Sequence, residues 1–238
     1  MVRETGLTFW KGIRDGLPIC FGYLSVAFTF GMLAVEGGLP PWVAVLISMV
    51  CFTGTGQFAG IALIAAGSMY LEMAITIFII NVRYLLMSLS LSQKLDKQMK
   101  VLERAVLAFG VTDEVFAVAM QQDGKLGGKY LTGLMLTPYV GWAAGTLLGA
   151  TVTGLLPLAV RSALGIAIYG MFISIIVTPA RRSRPIALVI GIAAAISCLF
   201  FWTPGLNGLS NGWVIIIAAV LAAAFAAWKC PVKEEEQL

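Results

Sequence analysis

The run RAVLAFGVTDEVFAVAM (104–120) sets two adjacent carboxylates, Asp113 and Glu114, among residues that are otherwise almost all apolar. Whether this run crosses a membrane or breaks inside one decides the fold. An ionised side chain at bilayer depth costs at least about 2.5 to 3.5 kcal/mol on insertion scales, so carboxylates there need a partner or a task.

Outward from that run the chain stays apolar. Of its 238 residues 59% are hydrophobic and only 12% charged, with a mean hydropathy of +0.92, outside the range of soluble domains. Apolar segments occupy approximately 16–35, 41–67, 70–92, 105–121, 131–156, 163–180, 185–201 and 212–228. Their lengths suit helices crossing roughly 30 Å of hydrocarbon. The connections are too short to hold a soluble domain, so residues 1–238 read as one all-α transmembrane domain. The first apolar run follows Arg3, Lys11 and Arg14 but leads into EGGLPPW (36–42) without a small-residue cleavage site, which reads as an uncleaved span. Four cysteines, at 20, 51, 198 and 230, are scattered without C-x-x-C spacing, and histidine is absent. Neither a metal site nor a cofactor is expected, and His-dependent haem, metalloprotease or proton-relay chemistry is excluded. No nucleophile elbow supplies enzyme chemistry either.

The basic residues sort the segments. Lys94, Lys97, Lys100 and Arg104 form one connection, Lys125 and Lys129 a second, Arg181, Arg182 and Arg184 a third, and Lys229 with Lys233 a fourth. The positive-inside rule assigns all four, with the N-terminal end, to the cytoplasm, and places anionic lipid head groups rather than nucleic acid beside them. Eight simple crossings cannot keep them on one side. Two broken segments can: 41–67 enters from outside and returns, 105–121 enters from inside and returns, and six full spans remain. Each carries helix breakers or charge at its middle, TGTGQF (53–58) in the first and GVTDE (110–114) in the second. Irregular backbone at membrane depth is tolerated where protein or a cavity surrounds it, so the breaks point to a site.

Sliding the chain by 57 residues lays FTGTGQFAGIALIAAG (52–67) over FGVTDEVFAVAMQQDG (109–124). Phe52 then matches Phe109, Thr55 matches Thr112, Ala62 matches Ala119 and Gly67 matches Gly124, with Gln57 opposite Glu114. Two such units in opposite orientations would make an inverted repeat.

Candidate site residues follow from charge and from freed backbone. Arg83 lies well inside FIINVRYLLMSL (78–89) and either pairs with a carboxylate or offers its bidentate fork to one. Asp113 and Glu114 point about 100° apart on a helix, so one can pair with Arg83 while the other binds a proton or a cation. Glu72 is a further acid within an apolar segment. Gly54, Thr55, Gly56 and Gln57 offer amides, hydroxyl and carboxamide to an anionic group, or simply let helices approach. Phe58 and Phe116 would wall an apolar ligand. By contrast GWAAGTLLGA (141–150), with glycines at 141, 145 and 149, reads as a packing face without chemistry.

Together GIRDGLPICFGYLSVAFTFG (12–31), GTGQFAG (54–60), NVRYLLMSLSL (81–91) and TDEVFAV (112–118) resemble the AzlC family of bacterial membrane proteins, in order, over roughly residues 10–205. The resemblance implies the large subunit of an exporter of valine, leucine and isoleucine, with methionine a further candidate. It also implies a small AzlD-type membrane subunit as partner and a place in the bacterial inner membrane. The family's motif positions fall here on Gln57, Phe58, Asn81, Arg83, Thr112, Asp113 and Glu114. Tyr84 stands where many members have histidine, and TGTG replaces a segment richer in alanine and serine. A channel for a small solute and a non-transporting assembly subunit are the other readings of the same pattern.

Overall fold

The computed structural model describes residues 7–163, 183–203 and 208–229, together with residues 173, 176–177 and 180–181. Its helices are α1 (Phe9–Glu36), α2 (Pro41–Val50), α3 (Gly54–Ala65), α4 (Tyr70–Lys94), α5 (Val101–Phe109), α6 (Asp113–Gln121), α7 (Gly128–Val152), α8 (Arg184–Trp202) and α9 (Asn211–Lys229), with a 3-10 turn at Thr153–Leu155. The chain is all-α and polytopic. Five helices among the described residues, α1, α4, α7 (with the 3-10 turn), α8 and α9, are long and apolar enough to cross a membrane. The expected span 163–180 lies almost wholly outside the described residues.

Both segments read as broken are broken. The run 41–67 divides into α2 and α3 at Cys51–Thr53, and 105–121 divides into α5 and α6 at Gly110–Thr112. Two boundaries differ from the sequence reading. Helix α1 begins at Phe9, not near 16, because Thr8 caps it by accepting from the Lys11 amide and because its early charges find partners. Lys11 donates to Gln122 at 2.8 Å, and Asp15 accepts from the Tyr130 hydroxyl at 2.9 Å. Helix α5 starts at Val101, ahead of the charged pair Glu103 and Arg104 where hydropathy alone begins to rise.

The described chain falls into two compact units, Met1–Ile61 with Ile80–Gly165, and Ala62–Ile79 with Ile166–Leu238. In the first, α1 and α7 pack through small residues. A Cβ on Gly12 would strike the Tyr130 backbone, one on Gly141 would strike Cys20, one on Gly145 would strike Leu24, and one on Gly31 would strike Thr146. Such contacts let two backbones approach without side chains between them. Residue numbers rise together along both helices, so α1 and α7 run parallel. GWAAGTLLGA is the packing face its spacing predicts.

That parallel pair fixes the sense of everything between. At the end where α1 and α7 begin, Leu126 donates its amide to Lys94 O at 2.9 Å and Asp96 donates to Leu126 O at 3.0 Å. Lys94 reaches Met120 O at 2.7 Å, Lys125 reaches Gln93 O at 2.8 Å, and Arg104 reaches Asp96 O at 3.0 Å. The end of α4, the start of α5 and the end of α6 therefore meet at one end of the unit. The α5–α6 hairpin enters and leaves there. The α2–α3 hairpin does the reverse: Ala44 of α2 and Ile61 of α3 both pack with Phe30, Ala34 and Ala150, near the other ends of α1 and α7.

The two hairpin tips meet in the interior, where Phe52 stacks on Phe109 with ring centroids 6.4 Å apart and planes 30° apart. These are partners in the 57-residue alignment. Gly67 and Gly124, also matched there, both take positive φ, 65° and 77°, as the second arm of each hairpin ends. Glycine adopts that conformation without the Cβ clash other residues meet. In the second unit, α9 buries Gly212, Ala218 and Ala222, whereas α8 buries no residue.

Candidate functional site at the hairpin tips

The first unit gathers most of the polar residues singled out in the sequence around the two breaks. Each break starts a new helix, α3 at Gly54 and α6 at Asp113, and a helix start carries unpaired amides and the positive end of the helix dipole. Asp113 and Glu114 occupy the first turn of α6, where that dipole favours negative charge.

Arg83 of α4 links both helix starts. Its Nη2 lies 2.8 Å from Asp113 Oδ2 and donates to Thr55 Oγ1 at 3.2 Å. It also donates to the Tyr84 hydroxyl at 3.2 Å, with the guanidinium 4.9 Å from the Tyr84 ring centroid. The Arg83 and Asp113 side chains keep 38% and 41% of their surface open, so the pair is not sealed. Glu114 takes a different partner: its carboxylate accepts a hydrogen bond from the Tyr23 hydroxyl of α1. Thr112, the residue before α6, is buried beside the same tyrosine. The two acids thus divide between a cation and a neutral donor, an arrangement their 100° offset on a helix allows.

Gln57 is 2% exposed and fully engaged. Its Oε1 accepts from Trp142 Nε1 at 3.1 Å and from Ser48 at 3.2 Å, while its Nε2 donates to the carbonyl of Cys51 at the break. Ser48 in turn contacts the Thr146 hydroxyl at 2.7 Å. A carbonyl freed by a helix break inside the protein must find a donor, and Cys51 O has two, the Thr53 amide at 2.8 Å and Gln57. Gly54 and Gly56 have local reasons to lack a side chain. A Cβ on Gly54 would meet the Trp142 ring at 3.1 Å, and one on Gly56 would meet the Asn81 carboxamide at 3.0 Å. The Asn81 Oδ1 is buried without a hydrogen-bond partner among the described residues, leaving an acceptor beside the start of α3.

Phe58 and Phe116 are not brought to this cluster. Phe58 packs edge-on against Phe30 at 5.5 Å, and Phe116 packs against the core that includes Leu131 and Leu134. The apolar wall beside the site comes from other rings. Phe52 is ringed by Tyr23 at 5.9 Å, Tyr139 at 5.4 Å, Trp142 at 6.4 Å and Phe109. Sequence reading missed Tyr23 and Trp142 as site residues. Their signals were a lone hydroxyl-bearing ring in FGYLSV (21–26) and an indole N–H inside a segment that otherwise only packs.

A family profile described as AzlC protein matches residues 18–156, the part of the chain that holds both hairpins, Tyr23, Arg83, Asp113 and Glu114. The chain belongs to the AzlC family. Inner membrane protein YgaZ of Escherichia coli K12 is 32% identical to this AzlC protein over 197 residues, covering 80% of each chain. A membrane protein of Archaeoglobus fulgidus is 36% identical over 222 residues, covering 92% of this chain and 94% of its own. No solved structure matches. With its long apolar helices and these relatives, the AzlC chain is a polytopic membrane protein. Helices α8 and α9 lie beyond the matched residues.

Proposed function

We propose that this AzlC protein is an inner-membrane exporter of branched-chain amino acids, valine, leucine and isoleucine with methionine as a further candidate, coupled to protons and working with a small AzlD-type subunit. One observation carries the reading. A partly open arginine and a carboxylate free of any cationic partner among the described residues stand on different helices where two opposed hairpins meet. A zwitterionic amino acid presents the complementary pair of charges. Its carboxylate meets the Arg83 fork in exchange for Asp113, or meets the amides at Gly54 to Gln57. Its ammonium group then takes the displaced Asp113.

Glu114 is the better carboxylate for coupling, because a neutral hydroxyl holds it and proton binding there disrupts no ion pair. The rings around Phe52 supply an apolar surface for the branched side chain. Selectivity among such side chains is modest, since one methylene is worth only about 1 to 3 kcal/mol. The alternating exposure that transport needs is available to two hairpins entering from opposite ends and touching at their tips.

The test is counterflow of labelled leucine in proteoliposomes, with and without the candidate small subunit. Wild-type chain exchanges leucine, and Arg83→Lys, which keeps the charge but loses the fork, exchanges it at least tenfold more slowly. Equal exchange by Arg83→Lys removes the arginine from the substrate site. A gradient-insensitive flux favours a channel, and no flux with or without the small subunit overturns the exporter reading.

A further inference from the structure

The second unit holds an acid that the export site does not use. Glu72 lies in the first turn of α4, is 5% exposed, and leads into the apolar run MAITIFII (73–80). Its Oε1 accepts from the Gly212 amide at 3.1 Å and from the Ser210 hydroxyl, at the start of α9. Both donors are neutral, and no ion pair reaches Glu72 among the described residues.

A carboxylate on a helix start is an ordinary cap, and by that measure alone Glu72 would be structural. The neighbouring threonine is what a cap does not need. One turn along α4, Thr76 is fully buried, and its hydroxyl has no hydrogen-bond partner among the described residues. A buried helical threonine ordinarily returns its hydroxyl to a carbonyl of the preceding turn. Here the hydroxyl instead faces the same glycine as the carboxylate: a Cβ on Gly212 would sit 2.8 Å from Thr76 Oγ1 and would also collide with Glu72 Oε1. One carboxylate and two hydroxyls therefore converge on one place at the start of α9. A buried hydroxyl left unpaired forfeits the hydrogen bonds it had in water, a loss that a bound ion would recover. Hard oxygen donors with one net negative charge match a small monovalent cation.

We propose that Glu72, Thr76 and Ser210 form a binding site for a small monovalent cation of the size of Na+ in the second unit. Binding cancels the carboxylate charge inside an apolar helix pair. The Ser210 hydroxyl then offers a lone pair to Na+ where it now donates to the acid. The other titratable groups on this unit's described elements are Tyr70 on α4, Arg181, Arg184 and Cys198 on or before α8, and Lys229 on α9. None is hydrogen-bonded or ion-paired to Glu72 among the described residues, and Lys229 ends a helix that begins about 27 Å away at Asn211.

Thermal unfolding of the purified full-length chain in detergent tests this without any amino-acid substrate, so its outcome is independent of the export reading. A ligand that binds only the folded chain raises the unfolding midpoint as its concentration rises. Midpoints are compared in NaCl and in choline chloride at equal ionic strength and equal pH. The wild type gains several degrees in NaCl over choline chloride. Glu72→Gln removes that gain, Thr76→Val shifts the half-saturating concentration several-fold, and the surface control Asp123→Asn retains the gain. Should Glu72→Gln fail to fold, Thr76→Val still decides, because it keeps the carboxylate and the cap. A wild type indifferent to Na+, or an undiminished gain in Thr76→Val, overturns the site and leaves Glu72 as a cap.

Discussion

Gln57 shows how one side chain holds a broken helix open. It supplies a donor to Cys51 O and an acceptor to Trp142 and Ser48, all away from water. In Gln57→Leu the Trp142 indole N–H loses its acceptor, at about 1 to 3 kcal/mol if it stays unsatisfied, while Cys51 O keeps the Thr53 amide and Ser48 keeps Thr146. The expected result is a variant whose unfolding midpoint in detergent falls by several degrees, with leucine counterflow lost alongside; an unchanged midpoint would mean that water or another acceptor replaces the amide. From sequence, Gln57 was legible as an unusual residue in an apolar run, but its task was not. An amide can serve a ligand or a neighbouring carbonyl, and only the position of Trp142, 85 residues away, distinguishes the two. Arg83 and Asp113 were more legible because charge inside a membrane segment must be answered nearby. Which acid answers depends on the helix phase at α6, and that follows from where the break falls.

At the scale of elements, the breaks themselves were readable in TGTGQF and GVTDE, since glycine and charge interrupt apolar runs at their middles. The contact between the tips was not. Phe52 and Phe109 are ordinary aromatic residues until the fold brings them together, although the 57-residue alignment pairs them. Helix ends were the least readable feature, because Lys11 and Asp15 belong to α1 through partners on distant residues. The glycine face of α7 is both legible and demanding. A Cβ on Gly149 would meet the Phe28 backbone, so Gly149→Val must push α1 and α7 apart. Because that pair anchors both hairpins, the expected outcome is a fall of several degrees in the unfolding midpoint and reduced yield of folded protein. Gly154, next to which a Cβ meets nothing, is the matched control, and Gly154→Val leaves the midpoint within a degree or two.

For the whole molecule, composition alone settled the class, because so few charges cannot clothe a soluble surface. The sense of the hairpins required the parallel packing of α1 with α7 and the joining of residues 94–96 to 126. Single cysteines at 97 and 124 should be labelled from one side of the membrane and a cysteine at 39 from the other; labelling of 97 and 124 from opposite sides would turn α5–α6 into a crossing. The central claim is that Glu114, held by Tyr23 between the hairpin tips, couples leucine movement to the proton gradient. The direct measurement compares Glu114→Gln with wild type in the same proteoliposomes, reading leucine counterflow at equal pH and leucine transport driven by a pH step. Counterflow within a few-fold of wild type, with the pH-driven component lost, is the predicted result. A variant that keeps full pH-driven transport contradicts the account.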